Sequence, residues 1–369
     1  TAYDAGEDGF YLYASASNTI ENSYSHSCGQ YGVYAGNSPS NLFDNNTLYN
    51  NTDYGMVITG DSESNDVFNN TIYNNTYGLY LLGDTNHSRI YDNEIYNNTE
   101  DGIHATSSGQ NSIEGNTIYN HYRGMVLGSA CDYNNVTNNT MRNGTIGIQI
   151  HDSEENILTG NYIHNNTDEG IDLSSNSRNN LVQENQVYFN EYGAWLLNDP
   201  QFNTFNGNAF YNNSRAIMIN THNNTIINNT IYNNSVMGVY IYGGGESNNL
   251  TNNTVSDSTY CVYIRGHRNR VINHTSFDCG RGALVHDGST YNIFQNVTVY
   301  DNDNGFRIRT DSNYNQFNNI TAYDNGYGLL VYDNADYNNF TDMNISSNTN
   351  TGIRLGINTV GNRITTSTF

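Results

Sequence analysis

Arg265, His286 and Arg309 stand 21 and 23 residues apart, each four places after a recurring small residue (Cys261, Gly282, Gly305). Side chains spaced in this way fall into one column of a repeat. Cations one strand apart repel unless an anion or carboxylate offsets them. Arg307 lies beside the column, and Tyr242 and Tyr332 flank it at the same phase. The chemistry that suits such a set is capture of an acidic group: a uronic or sialic acid, an acidic turn of another subunit, or locally Asp287 and Asp311. Two places after the small residue, Trp195, Tyr240 and Tyr263 share the outward side. Large aromatics facing solvent mark contact surfaces, here for a polysaccharide or protein partner. Their packing against one another along a stack is the plainer alternative.

Bond-cleaving chemistry is harder to place. A glycosidase needs two carboxylates across a groove, and two places after the small residue only Asp172 offers one. Asp168-Glu169 and Asp152-Glu154-Glu155 lie near it in turns, which leaves a loop-built dyad as an alternative; no catalytic residue is assigned and the balance leans away from an enzyme. Asp61, Asp84, Asp199 and Asp311, with Asp152, Asp287 and Asp333 slightly shifted, form a broken acidic turn column. Such a column is a candidate Ca²⁺ holder, with solvated turn carboxylates the simpler account. Copper would need converging His or Met, and His104 and His151 lie out of phase. No other metal set and no G-x-S-x-G or phosphate loop is present.

The elements that must position these groups are written in a repeat. Asn69-Asn70-Thr71-Ile72-Tyr73-Asn74-Asn75-Thr76-Tyr77-Gly78-Leu79-Tyr80-Leu81 is its clearest copy. Taking Gly78 as the marker, equivalents run from Gly9 to Gly352, 21 to 24 residues apart, giving sixteen units. One and three places after each marker the residues are apolar, whereas the next ones out vary freely. That alternation is a strand with one buried face. Two further in-facing strands are marked by Leu48, Ile72, Ile95, Ile118 and by Val67, Ile90, Ile113, Val136. Three strands and three turns per unit of about 23 residues predict an all-β, right-handed parallel β-helix, one solenoid domain over 1–369. Asn70, Asn93, Asn116 through Asn319 and Asn344 recur before the second strand. Asn65, Asn111, Asn156 through Asn362 recur before the third. Asn tolerates left-handed turns and, stacked, bonds its own kind.

The pattern N-x-I-x-x-N-x-I-x-x-N-x-x-x-G-I-x-L resembles the parallel β-helix repeats of the pectate-lyase-like superfamily. It is closest to the NosD-like and carbohydrate-binding or sugar-hydrolase type repeats, and the resemblance covers the whole chain. It implies the fold. It also implies a strand face that lines a polysaccharide groove in the enzymes of that superfamily, and it leaves function open, because structural rods share the repeat.

The chain of 369 residues has a formal charge of −23, which argues against nucleic acid or an anionic membrane as partner. No apolar run is long enough to span a bilayer. The chain carries 21 N-x-[ST] sequons, clustered before the second strand (Asn45, Asn69, Asn138, Asn228, Asn252) and after it (Asn50, Asn74, Asn97, Asn165, Asn233), with Asn212 among the rest. None falls within six residues after a marker, so N-glycans would coat two sides and leave the marker face bare. Cys261 and Cys279 are on neighbouring coils, three positions out of register, an awkward offset for a disulfide. Cys28 and Cys131 have no partner in a regular rod. Neither end shows a cap. Thr1-Ala2-Tyr3-Asp4 repeats Thr321-Ala322-Tyr323-Asp324, and the segment ending at Phe369 stops at the same strand. Head-to-tail self-assembly into filaments is therefore expected. The readings that remain are a secreted or cell-surface structural glycoprotein, a carbohydrate-active protein working on an acidic polysaccharide along the bare face, and a metal chaperone.

Overall fold

The computed structural model describes residues 1–368; the expected stopping point at Phe369 lies outside the described residues. The chain forms two compact units, Thr1–Gln186 and Val187–Phe369. Each is a parallel β-solenoid of eight coils.

One coil shows the plan. A long strand, Tyr77–Leu82, is followed by two short ones, Arg89–Tyr91 and Glu94–Tyr96. Each pairs in parallel with its equivalent on the coils before and after, as in Leu79↔Ile103, Ile90↔Ile113 and Ile95↔Ile118. Inward Ile and Leu therefore stack on their own kind, and Ile72, Leu79, Ile90, Ile95, Ile103 and Ile118 are fully buried. The corner between the short strands needs a left-handed residue. Asn69, Asp92, Gly115, Asn138 and Gly160 hold it with φ of 54–66°, the residue types for which that region costs least.

The Asn pairs divide two tasks that the sequence assigned to one residue. The first Asn of a pair is exposed and left-handed; the second is buried and forms the ladder. Asn116 Oδ1 accepts from Asn93 N at 3.0 Å and from Asn93 Nδ2 at 2.9 Å. Its own Nδ2 donates to Asn139 Oδ1 and Ile90 O at 2.9 Å. A third ladder, absent from the sequence reading, runs through Asn51, Asn75 and Asn98 at the next corner. Asn319 and Asn344 are outside the ladders, contrary to expectation. Asn319 is the exposed left-handed residue, with φ of 51°, and Ile320 and Met343 are the buried ones. With apolar side chains there, the two short strands merge into single eight-residue strands, Gln316–Tyr323 and Asn339–Ser346.

The marker glycine is fixed by close approach. A Cβ on Gly78 would lie 2.3 Å from Gly102 O and 2.6 Å from Ile95 Cγ2. The ladder also steps over it, because Tyr77 pairs with Tyr54 and Leu79 with Met56. The residue before the marker thus joins the strand and points outward. The same apposition explains the disulfide. The marker Cβ direction faces the ladder residue of the next coil, as Gly78 faces Asn98 Nδ2 at 3.1 Å. Cys261 holds the marker place and Cys279 the ladder place, with Cα atoms 5.9 Å apart, and the two are bonded. The sequence offset is the distance between two facing columns. Cys28 and Cys131 are free and buried.

Replacing Asn116 by Leu keeps volume but strands Asn93 N and Ile90 O in the interior. Each such group costs about 1–3 kcal/mol. The expected loss is about 2–5 kcal/mol in urea unfolding, against no change for Glu94→Gln on the surface.

Candidate functional site

In the second unit the expected cation column is locally neutralised. Asp287 accepts from Arg265 at 2.6 Å and lies 3.0 Å from His286 Nδ1. Arg309 Nε is 3.7 Å from Asp333, so Asp333 fills the place expected of Asp311. Arg265 Nη1 donates to Tyr240 OH at 3.0 Å, and Tyr263 OH meets His286 Nδ1 at 2.9 Å. Burial, reinforced by the Arg309, Arg265 and Arg307 charges, pulls His286 below its ordinary value against the opposing pull of Asp287. Burial beside Tyr240 pushes the Tyr263 phenol up to about 12. The external anion is therefore not required at Arg265, His286 and Arg309.

The aromatic column is also less open than its sequence position implies. Tyr240 is 5 % exposed, and Met218 fully buried. Tyr240 packs between Tyr242 at 4.0 Å and Tyr263 at 4.5 Å. Trp195 leans on Tyr192 at 4.5 Å, with its indole N–H unpaired. Arg307 remains without a carboxylate partner among the described residues. Its Nε donates to Tyr332 OH, and its guanidinium lies 5.2 Å from the Tyr332 ring centre.

The first unit holds a polar row that sequence reasoning missed, because it uses the residue before the marker. Asp101 and Arg123 are both such residues, and they pair directly across adjacent strands. Fully buried Asp101 accepts from Arg123 Nε at 2.7 Å and Nη2 at 2.9 Å, and from His104 Nδ1 at 2.7 Å. Burial alone would raise its pKa, but His104 and Arg123 outweigh that and hold it below the carboxylate range. Arg123 Nη1 then donates to Gln149 Oε1 at 2.8 Å, and Gln149 Nε2 to Asp172 Oδ2 at 2.6 Å. Ser174 Oγ adds a longer bond to Asp172 at 3.4 Å.

The row ends in an acid pair. Glu169 precedes Gly170, and it opens the strand Glu169–Ser174 that carries Asp172. Neither carboxyl has a cationic partner within ion-pair reach among the described residues. Burial, then the charges of Asp168 and Asp172, push Glu169 up to about 7. Burial raises Asp172 too, despite the hydrogen bonds from Gln149 and Ser174. His151 is 3.7 Å from Asp152 rather than in a metal set. Among the described residues no three His, Cys, Asp or Glu converge closely enough to hold a metal ion. The signal for the pair was available: charged residues directly before a marker recur at Asp101, Arg123 and Glu169.

The sequon residues Asn45, Asn50, Asn69, Asn74, Asn97, Asn138, Asn165, Asn212, Asn228, Asn233 and Asn252 are all exposed and all left-handed, with φ of 52–58°. Each is followed by a buried ladder Asn.

Asp101 and Arg123 give a direct test of this geometry. Asp101→Asn leaves a largely buried guanidinium without its carboxylate and should cost about 3–5 kcal/mol. Adding Arg123→Leu should recover most of that loss in a double-mutant cycle by urea unfolding. A single-variant loss below about 1 kcal/mol would contradict the pairing.

No curated protein sequence matches the chain. Among solved structures, the Dettilon tailspike protein superposes with a TM-score of 0.53 at 15 % identity, covering 82 % of this chain and 61 % of its own. The mannuronan C-5 epimerase A-module of Azotobacter vinelandii gives 0.45 at 14 % identity over 95 % and 90 %. The DFA-IIIase of Arthrobacter chlorophenolicus A6 gives 0.47 at 12 % over 59 % and 66 %. The chain thus spans less than two thirds of the tailspike and about two thirds of the DFA-IIIase. At such identities the likeness concerns fold. The family of the right-handed β-helix region matches residues 1–87, 77–224 and 215–369, and with coils of that build throughout both units the chain belongs to it.

Proposed function

We propose that the protein is a carbohydrate-active enzyme that hydrolyses a polysaccharide lying along the long-strand face, with Glu169 and Asp172 as its acid–base pair. The observation that carries this reading is the pair itself, two half-buried carboxyls on one strand with no cation in ion-pair reach among the described residues. Carboxyls raised by burial and by like charge are the kind of group that acid–base sites are built from. The sequence argument against a glycosidase was the lack of a second outward carboxylate beside Asp172, and Glu169 is a candidate for it. Upstream on the same face, Tyr31, Tyr54, Tyr77 and Tyr80 form a contiguous ring cluster, with centroids 5.0–6.0 Å apart. Tyr80 is tilted by 36° and 48° against Tyr54 and Tyr77 rather than stacked flat on them, an arrangement that suits the apolar face of a sugar residue.

In this reading Glu169 carries its proton near neutral pH and gives it to the glycosidic oxygen as the bond to the anomeric carbon breaks. Asp172 takes a proton from the water that attacks that carbon. The products are two shorter chains, one ending in the protonated glycosidic oxygen and the other in an anomeric hydroxyl from water, and proton exchange with solvent restores Glu169 and Asp172. Glu169 and Asp172 hold the places, directly before the marker and two past it, that bring Asp101 and His104 to 2.7 Å on another coil, so both carboxyls serve the same stretch of a bound chain. Assayed over a polysaccharide panel, the protein should depolymerise at least one polymer. Glu169→Gln should lower it by about 10²–10⁴-fold with polymer binding retained. The rate should fall as pH rises through about 7, where Glu169 loses its proton. A variant as active as the parent sinks the proposal.

An extracellular, N-glycosylated form is the companion proposal. Its supports are the exposure of every sequon residue named above and the Cys261–Cys279 disulfide, which suits an oxidising compartment. Native material should lose mass on enzymatic deglycosylation; an unchanged mass would remove this part.

A further inference from the structure

The second unit contains a pocket of about 290 Å³ beside the neutralised column, lined by Arg307, Tyr327, Leu330, Tyr332, Asp333 and Arg354 among others. Its floor is one ladder: Arg307 pairs with Leu330, and Leu330 with Arg354. The two arginines thus lie two strand spacings apart, about 9–10 Å, with an apolar step between them. Tyr327 and Tyr332 stand at the sides. Neither guanidinium has an ion-pair partner among the described residues, and the one carboxylate of the lining, Asp333, is shared with Arg309. In a chain with 36 acidic and 13 basic residues, two such guanidiniums in one concave site are an electropositive spot on an otherwise repelling surface.

We propose that this pocket is a subsite for a carboxylate-bearing sugar residue, with Arg307 and Arg354 gripping the carboxylate and Leu330 and the tyrosine rings meeting the sugar's apolar face. Planar guanidiniums match carboxylates through paired N–H donors. A pocket of this volume admits one sugar residue, and its openness toward the long-strand face lets a polymer continue past it. Tyr332 already holds Arg307 through its hydroxyl and ring, so that guanidinium is oriented before ligand arrives, which limits the ordering cost of binding. The assignment moves the acidic-group site one step from Arg265 and Arg309, whose charges Asp287 and Asp333 offset, to the two arginines that have no such offset. It rests on the carbohydrate-active reading and gives it a substrate class, a polysaccharide with carboxylated residues.

The test compares binding of oligogalacturonate and its methyl ester, one charged and one neutral, by calorimetry at low and moderate salt. The acid should bind, weaken as salt rises, and exceed the ester. Arg354→Ala, at an exposed position, should weaken the acid by roughly 10- to 100-fold and leave the ester unchanged. Arg307→Gln should do the same, and Tyr332→Phe should act through Arg307 with a smaller effect. Equal affinity for acid and ester, no binding of either, or an Arg354→Ala variant like the parent overturns the subsite. Glu169→Gln separates the two claims: it should lower cleavage by about 10²–10⁴-fold and keep acid-selective binding. Cleavage that survives in Glu169→Gln beside acid-selective binding overturns the catalytic pair alone. Loss of acid selectivity in the parent with Glu169-dependent cleavage of a neutral polymer overturns the subsite alone.

Discussion

Register in both units depends on one interaction, the buried asparagine amide that bonds to the coil on either side. Asn93, Asn116 and Asn139 each offer Oδ1 to the backbone N–H and the amide of the coil before. A slip of one residue would break several of these bonds in the dry interior, each at about 1–3 kcal/mol. The apolar stack could tolerate such a slip more easily, because Ile on Leu and Ile on Ile are nearly equivalent. Stacked apolar side chains supply most of the driving force, and the amides select one register among near-equals.

A fixed register turns the surface into columns. Every outward side chain meets its equivalent one coil away at about 4.8 Å, whether or not the two are compatible. Along the second short strand the solution is like on like: Tyr49, Tyr73, Tyr96 and Tyr119 stack with centroids 4.9–5.1 Å apart. Rings stacked in this way hide their faces from any ligand, so this column is packing rather than a binding platform. Charged columns need alternation instead, and Asp101 beside Arg123 is an instance. Where Arg265, His286 and Arg309 put like beside like, Asp287 and Asp333 are brought in from the following turns.

The inward half of the structure was legible because it obeys two periods at once, two along the strand and about 23 along the chain. Ile72, Leu79 and Ile95 could be placed from sequence for that reason. The outward half was legible only after the marker. Gly78 interrupts the ladder, so strict alternation sends the preceding residue into the turn, and Asp101, Arg123 and Glu169 were lost with it. The same habit of counting in sequence made Cys261 and Cys279 look misaligned, although the marker and ladder columns face each other in space. At Asn319 the repeat had drifted by one residue, and residue type alone did not reveal that Ile320 had taken the buried place.

Asp101 and Asp172 show how little separates a structural carboxylate from a chemical one. Both face outward on long strands of the first unit, and both are tied into the same row of hydrogen bonds. Asp101 has Arg123 and His104 as donors and is held ionised. Asp172 has Gln149, a neutral amide of similar reach, and its affinity for a proton rises. An arginine at position 149 would stabilise Asp172 as Arg123 stabilises Asp101, and would relieve Glu169 as well. A row selected for stability alone would end in a cation. This one relays the position of Arg123 through a neutral amide, so the Arg123 and His151 charges act on Asp172 from a distance and do not outweigh its burial. Two carboxyls are thus left on one strand, partly dry and both raised, Glu169 to about 7, and an acid poised near the working pH is what general acid–base chemistry requires.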